Sequence, residues 1–255
     1  LFVSAAKLMS LAVNTQEEVG FSNKFYYLSF SRATSELRSF STADSRQELL
    51  EAMGFSVQCP AESWHRWIME GNGEFPVGDF RMETLEQGVK LIWTLENRYF
   101  TIFKTVSCFK ESPMIEFGYT LSCRANTENY RSNGNLPYLR LKPALTSRLL
   151  TRNGNILRNV YTAGDTAGEK FDDWCAAYSP DGYGLALYLP DKEGWENFRG
   201  LRQKPEHRGE WDHLGLKTPS ILLPFPKQKE GDFSFGDKMT VNIFCEVLRN
   251  EPQIE

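Results

Sequence analysis

Residues 89–123 read VKLIWTLENRYFTIFKTVSCFKESPMIEFGYTLSC, and apolar and polar side chains alternate along most of this stretch. Lys90–Trp93, Tyr99–Val106 and Met114–Leu121 each show a repeat of two. This is the repeat of a strand whose successive side chains point to opposite faces of a sheet. The turn residues Lys110–Pro113 separate the last two segments. The stretch therefore predicts consecutive strands joined by short turns, and it predicts a mainly β protein.

The composition fits one globular domain. The chain has 255 residues, of which 41% are hydrophobic and 24% are charged. Sandwiches of this length are commonly single domains, so we expect residues 1–255 to form one all-β antiparallel sandwich with at most one or two short helices. The net charge of −4 argues against nucleic acid as a partner, because binding phosphates needs a basic surface. No apolar stretch approaches the roughly 20 residues that span a bilayer.

Turn chemistry predicts two more hairpins. Asn153-Gly154 and Asp181-Gly182 tolerate the positive φ angles of type I′ turns, which match the twist of paired strands. The predicted strand pairs are 148–152 with 155–161 and 173–178 with 183–189. A long final strand is predicted at Lys238–Leu248, whereas the stretch from 191 to 217 has no usable repeat and is expected to be a long loop.

A capping-box pattern predicts one helical turn. In Ser45-Arg46-Gln47-Glu48, a serine is followed three residues later by a glutamate, as at many helix starts. Apolar residues follow at 49, 50 and 53, and Gly54 suits the end of a helix. We therefore predict a short helix over Ser45–Met53.

The five cysteines do not suggest a disulfide framework. Their number is odd, and Cys108 and Cys123 flank the predicted hairpin at different distances from its turn, so they should not face each other. We interpret most of the cysteines as buried thiols that act as small hydrophobic side chains. The cellular compartment stays open on these residues alone.

Taken in order, several segments resemble the galactose mutarotase-like supersandwich, a fold shared by aldose epimerases and by β-domains of glycoside hydrolases and polysaccharide lyases. The first three segments resemble the family's opening strand, the strand that turns back beside it, and the Glu-Leu-Leu sequence that follows. The four later segments resemble two of the family's hairpins. The segments that carry the resemblance are Phe25–Phe30, Ser35–Phe40, Gln47–Leu50, Lys104–Ser107, Ser112–Phe117, Trp174–Tyr178 and Gly182–Tyr188.

The resemblance implies a carbohydrate ligand on a concave sheet face and slightly favours a secreted or periplasmic location. No motif in the sequence indicates a cofactor, so none is predicted. The asparagine–histidine stretch of true aldose epimerases is not apparent in this sequence, which has three histidines. The resemblance therefore implies a carbohydrate context rather than mutarotase activity.

The first candidate site is the segment Trp64-His65-Arg66-Trp67. Indole rings can stack on the apolar face of a pyranose, while histidine and arginine bind hydroxyl groups or a carboxylate. The alternative is that the two tryptophans plug one end of the sandwich.

The second candidate site is the aperiodic segment. Its histidines and a carboxylate could form an acid–base pair, and its tryptophans and arginine could hold a sugar. The alternative is a solvated loop pinned to the body by its tryptophans. The spacing matches no zinc signature, so no metal is predicted. The residues concerned are Trp195, Arg199, His207, Glu210, Trp211 and His213.

Two classes of function stay open at this stage. The chain either processes a carbohydrate, with His65, His207 or His213 as acid or base, or binds one without turnover. A third reading is a structural or protein-interaction domain excised from a larger protein. The sequence does not specify the oligomeric state.

Overall fold

A computed structural model describes residues 11–59, 66–71, 73–125, 134–142, 145, 148–153, 156–159, 174–188, 201–202, 220–224 and 236–249. These residues form 18 strands and no α-helix. The strands are β1 Leu11–Asn14, β2 Glu18–Ser22, β3 Tyr26–Ser31, β4 Leu37–Thr42, β5 Leu50–Cys59, β6 Arg66–Met69, β7 Val77–Leu85, β8 Gly88–Glu96, β9 Phe100–Phe109, β10 Met114–Cys123, β11 Gly134–Leu141, β12 Arg148–Asn153, β13 Ile156–Asn159, β14 Trp174–Tyr178, β15 Tyr183–Tyr188, β16 Leu201–Arg202, β17 Ser220–Pro224 and β18 Lys238–Arg249.

The strands form three antiparallel sheets. The largest has nine strands in the order β13-β12-β14-β15-β18-β10-β9-β8-β7. A four-stranded sheet has the order β1-β2-β3-β4, and a five-stranded sheet has the order β16-β17-β11-β5-β6. One continuous hydrophobic core joins side chains from all three sheets, so the two smaller sheets pack against one face of the large sheet. This confirms the predicted all-β sandwich.

The hairpins predicted from the sequence are present. β9 and β10 pair across the Lys110–Pro113 turn, and β14 pairs with β15 across Asp181-Gly182. β12 also pairs with β13, with Asn153 opposite Ile156. Within the described residues, no helix is long and apolar enough to cross a membrane.

The predicted helix over Ser45–Met53 is wrong. Residues 43–45 form a turn, and Leu50 begins β5, which continues through Gly54. The carboxylate of Glu48 does not cap a helix. It instead accepts hydrogen bonds from the Ser39 hydroxyl at 2.6 Å and the Phe40 backbone N–H at 3.1 Å. These tertiary partners on β4 hold the segment extended.

A buried ion pair lies where the three sheets meet. Lys104 on β9 donates to Glu70 Oε1 at 2.6 Å and to the Ser35 carbonyl at 2.7 Å. Glu70 also accepts from the Ser35 hydroxyl and, through Oε2, from the Phe55 N–H at 3.2 Å. The exposed fractions of the Lys104 and Glu70 side chains are 0% and 1%. This sealed cluster therefore connects the sheets and is not open to a ligand.

Aromatic rings complete the surroundings of the Lys104 ammonium group. Its Nζ lies 4.8 Å from the ring centre of Phe30, 5.7 Å from that of Trp93 and 5.9 Å from that of Tyr119. Burial raises the pKa of Glu70 and lowers the pKa of Lys104, while their mutual attraction opposes both changes. Removing one partner would leave the other charge buried without compensation.

The cysteines Cys108, Cys123, Cys175 and Cys245 are buried free thiols. Cys108 lies opposite Ile115 and Cys123 opposite Phe100, so the prediction that these two cysteines do not face each other is confirmed. Burial raises the pKa of Cys108 to about 12. Thiolate is the reactive form, so this thiol is protected both by burial and by protonation.

We expect these four cysteines to resist alkylation in the folded protein. Iodoacetamide at pH 8 should leave them unmodified without denaturant and modify all four in 6 M guanidinium chloride, as read by peptide mass spectrometry. Rapid labelling of Cys108 in the folded protein would contradict its burial.

Candidate functional site

The nine-stranded sheet has one face in the core and a second face that points away from the two smaller sheets. On β18, the odd-numbered side chains from Met239 to Val247 are buried in the core, and the even-numbered ones are half-buried or exposed. β9 and β10 alternate in the same way. We call this second face the outer face. It is where described polar and aromatic side chains are grouped at the surface of the large sheet.

One row of side chains crosses six strands of the outer face. Strand pairing places each member directly opposite the next, and neighbouring strands lie about 4.8 Å apart, so the row spans about 24 Å. In order from β8 to β14, the members are Lys90, Ser107, Glu116, Phe244, Tyr188 and Trp174. The row changes from polar to aromatic at Phe244. We call Phe244, Tyr188 and Trp174 the aromatic end.

A second carboxylate lies beside the aromatic end. Glu246 accepts a hydrogen bond of 2.8 Å from the Tyr188 hydroxyl, and burial raises the pKa of that hydroxyl. Glu116 is opposite Phe244, while Glu246 is opposite Met114, so the two glutamates are diagonal neighbours on β10 and β18. Such neighbours lie about 7–8 Å apart. The outer face thus has two carboxylates next to three aromatic rings.

The aromatic end borders a small apolar cluster on the same face of the sheet, since alternate residues of a strand share a face. Leu150, Ala176, Tyr178 and Ala186 are buried, and Trp174 and Tyr188 pack against them. This support fixes the rings, which is what a stacking surface requires, because a rigid ring loses little conformational entropy when a ligand binds.

Next to the aromatic end, a glycine lets two polar side chains converge. A Cβ on Gly118 would lie 2.5 Å from Thr105 Oγ1 and 3.0 Å from Asn242 Oδ1. Both groups therefore occupy space that the side chain of any other residue at position 118 would fill. Glycine inside a central strand often marks a close approach of this kind. Thr105 and Asn242 lie opposite Gly118 on its two neighbouring strands.

The outer face continues beyond Gly118 as a row of hydroxyl groups around one aromatic ring. Thr120 and Thr240 lie opposite each other, with their hydroxyl oxygens 3.1 Å apart. Phe103 lies between Thr94 and Thr120, and 42% of its surface is exposed. We call Thr105, Gly118, Thr120, Thr240 and Asn242 the polar floor, and Phe103 lies at its far side.

This arrangement suits recognition of a polyhydroxylated ligand. Aromatic rings present an apolar surface for stacking, and carboxylate, amide and hydroxyl groups accept and donate hydrogen bonds. Among the described residues, no group of three or more histidine, cysteine, aspartate or glutamate side chains could hold a metal ion.

Most site residues predicted from the sequence lie outside the described residues, namely Trp64, His65, Trp195, Arg199, His207, Glu210, Trp211 and His213. Arg66 and Trp67 belong to β6, which pairs with β5 at one edge of the five-stranded sheet. β16, which begins two residues after Arg199, forms the other edge, about 19 Å away across four strand spacings. The assignment of all these residues to a site stays a prediction.

Sequence reasoning missed the outer-face residues because they look like ordinary strand positions. Glu116, Asn242 and Phe244 occupy alternate positions in two predicted strands that are over 100 residues apart in the chain. Gly118, within a strong strand pattern, could have indicated this site. Glycine weakens the interior of a strand, so its presence there often marks a close approach of another group.

Comparison with solved structures finds several that superimpose on most of this chain. An α-mannosidase from Enterococcus faecalis superimposes with a TM-score of 0.58 at 10% identity, covering 94% of this chain and 30% of that one. An α-galactosidase from Geobacillus stearothermophilus gives 0.59 at 7% identity, with coverage of 95% and 41%. A putative aldose 1-epimerase from Escherichia coli gives 0.50 at 11% identity, with coverage of 90% and 98%.

The fold is the galactose mutarotase-like supersandwich. The agreement extends over nine-tenths or more of this chain in each case, and it confirms the fold expected from the sequence resemblance. This supersandwich spans well under half of the two glycosidase chains. No family model and no curated protein sequence matches it. At these identities the likeness concerns the fold, and function has to be argued from the outer face.

Proposed function

We propose that this supersandwich binds a carbohydrate on the outer face of its nine-stranded sheet. The observation that carries the proposal is the cross-strand row in which Glu116, Phe244, Tyr188 and Trp174 follow one another on four neighbouring strands. The solved relatives are named as enzymes that act on sugars, which agrees with this choice of ligand.

In the proposed complex, a sugar ring stacks on the aromatic end. Its hydroxyl groups donate to the carboxylates of Glu116 and Glu246, and they exchange hydrogen bonds with Asn242 and Thr105. Hydrogen bonds to charged acceptors are about twice as strong as neutral ones, so the glutamates fix the orientation of the ring. The hydroxyl of Tyr188 keeps the Glu246 carboxylate in place.

Chain connectivity links this site with the segments predicted from the sequence. Tyr188 is the last residue of β15 and Trp174 the first of β14, so two members of the aromatic end stand at the ends of their strands. Trp195 and Arg199 follow Tyr188 within eleven positions in the sequence. In our proposal Trp195 adds to the same site, whereas Arg199 precedes β16 of the five-stranded sheet by two positions and is not included.

We expect Trp174→Ala and Asn242→Ala each to weaken binding about tenfold, which corresponds to about 1.4 kcal/mol. The measurement is isothermal titration calorimetry against mannan, galactan, xylan and polygalacturonate. Met82→Ala is the control, because Met82 is a large hydrophobic residue that is 39% exposed but is paired with the core-facing Leu91 and so lies off the outer face. Absence of saturable binding to every polymer, or equal weakening by the control, would refute the proposal.

A second candidate function is turnover of the bound sugar. It is favoured by the diagonal placement of Glu116 and Glu246, because two carboxylates on either side of a glycosidic bond can act as acid and base. Glu116→Gln and Glu246→Gln separate the two functions. If either variant keeps binding and abolishes release of reducing ends, the chain is an enzyme. Without release by the wild-type protein, binding alone remains.

A further inference from the structure

We propose that the ligand of the outer face is a neutral glycan of several sugar units, bound across the sheet from the aromatic end to Phe103. This inference rests on the proposed function and adds the size and charge of the ligand. Its starting point is that, besides the aromatic end, the outer face has an exposed aromatic ring at Phe103.

The two positions are too far apart to serve a single sugar ring. Phe103 and Phe244 are two strands apart, and their rows are separated by four residues along the strands. With about 4.8 Å between strands and 3.3 Å per residue, the two backbone positions lie about 16 Å from each other. Trp174 is two strands further, about 23 Å from Phe103 by the same geometry. A ligand that contacts both positions must be a chain of rings.

The surface between the two positions is continuous and hydroxyl-rich. Thr240 and Asn242 are exposed, and Thr105 and Thr120 are half-buried. Gly118 has no side chain to project from the middle of this floor, and the Thr105 and Asn242 side chains extend over it. Each of these groups can both donate and accept a hydrogen bond, which suits the hydroxyl groups of successive sugar units.

The charges argue for a neutral ligand. The polar floor carries no ionisable side chain, and the two carboxylates nearest to it, Glu116 and Glu246, stand beside the aromatic end. An acidic sugar placed there would face two like charges, which is unfavourable. The outer-face cations near these groups lie at the margins, with Lys238 opposite Ser122 beyond the floor and Lys90 at the polar end of the row, two strands from Glu116.

Phe103 is the residue that distinguishes this inference from a small-sugar site. The Phe103 side chain is 42% exposed and has no part in the core, so its ring is available as an apolar surface on which a sugar can stack. It lies on the strand next to β10 and is flanked on both sides by threonines. A sugar ring stacked on it would meet hydroxyl partners at both edges.

The test is the dependence of affinity on chain length. We would measure dissociation constants for linear mannose, galactose and glucose oligosaccharides of one to six units, and for polygalacturonate against its fully methyl-esterified form. We expect affinity for the preferred series to rise at least tenfold between two and six units. We also expect the esterified polymer to bind at least tenfold more tightly than the acidic one, since esterification removes the negative charge of each uronate and keeps the sugar backbone.

Variants then locate the second position. Phe103→Ala should weaken binding of six-unit chains about tenfold and leave the binding of single sugars unchanged. Phe103→Tyr should keep the six-unit affinity near that of the wild type. Trp174→Ala should weaken the binding of both six-unit chains and single sugars. Affinity independent of length, or an unchanged six-unit constant for Phe103→Ala, would overturn this inference while the proposed function stands. Preference for the acidic polymer would overturn the charge assignment. No binding to any sugar would overturn both proposals.

Discussion

Lys104→Met should lower the free energy of unfolding by about 3–5 kcal/mol, because it leaves the Glu70 carboxylate buried without its cation. That carboxylate is 1% exposed and loses a 2.6 Å partner. A domain is commonly stable by only about 5–15 kcal/mol, so this loss would bring the protein close to unfolding at ordinary temperatures. The measurement is urea unfolding at pH 7, followed by circular dichroism.

The double variant Glu70→Gln/Lys104→Met tests the physical cause. Glutamine has nearly the same shape as glutamate. Its carbonyl oxygen can take the place of Oε2 and accept from the Phe55 N–H, and its amide NH2 then takes the place of Oε1 and can donate to the Ser35 hydroxyl oxygen. With both charges removed, we expect the double variant to be more stable than Lys104→Met alone. If the double variant is no more stable than Lys104→Met, the cost arises from loss of the lysine side chain itself and not from an unpaired charge on Glu70.

A matched exposed pair serves as control. Lys24 and Glu111 are 2.9 Å apart, with side chains 62% and 77% exposed. Solvent and side-chain entropy cancel most of the attraction in such pairs, so Lys24→Met should cost about 1 kcal/mol or less. Equal effects of Lys24→Met and Lys104→Met would show that burial of the pair does not determine its contribution.

Trp93→Ala should destabilise the fold by about 3–5 kcal/mol through the cavity it leaves. Trp93 is fully buried, and its ring centre lies 5.4 Å from that of Phe30 and 5.0 Å from that of Phe80. The indole thus fills the space between the four-stranded and nine-stranded sheets. The same unfolding experiment measures the loss, and Phe103→Ala on the neighbouring strand should change stability by only about 0.5 kcal/mol.

Trp93→Phe separates volume from hydrogen bonding. Within the described residues, the indole N–H is buried and has no hydrogen-bond partner. An unsatisfied buried donor costs about 1–3 kcal/mol, and phenylalanine removes it while keeping most of the ring. We therefore expect Trp93→Phe to be much closer to the wild type than Trp93→Ala. Similar losses for the two variants would contradict this account.

Features set by interactions between residues close in the sequence could be predicted, whereas features set by contacts between distant residues could not. The β9–β10 hairpin could be predicted because its alternation and its turn are local, and both lie within 30 residues. The helix at Ser45–Met53 was predicted from an equally local pattern. It is absent because Glu48 binds β4, and a strand pairing outweighed the capping signal.

The candidate site shows the same limit. Arg66 and Trp67 were predicted as site residues because they belong to a run of aromatic and basic residues in the sequence. Glu116, Asn242 and Phe244 were not predicted, because each is a single polar or aromatic residue within an ordinary strand pattern. Their grouping depends on β10 lying beside β18, a pairing between segments over 100 residues apart. No periodicity within a strand specifies which distant strand becomes its neighbour.

The sequence by itself determined the class of the protein: alternation and turn residues encode strands and hairpins, and the order of these segments indicated the supersandwich. Only the tertiary structure decided which strands are neighbours, that Lys104 meets Glu70 in the core, and that Glu116, Asn242 and the aromatic end share one face. The physical reason is that side-chain direction is set locally by the backbone, whereas proximity is set by burial of the whole core.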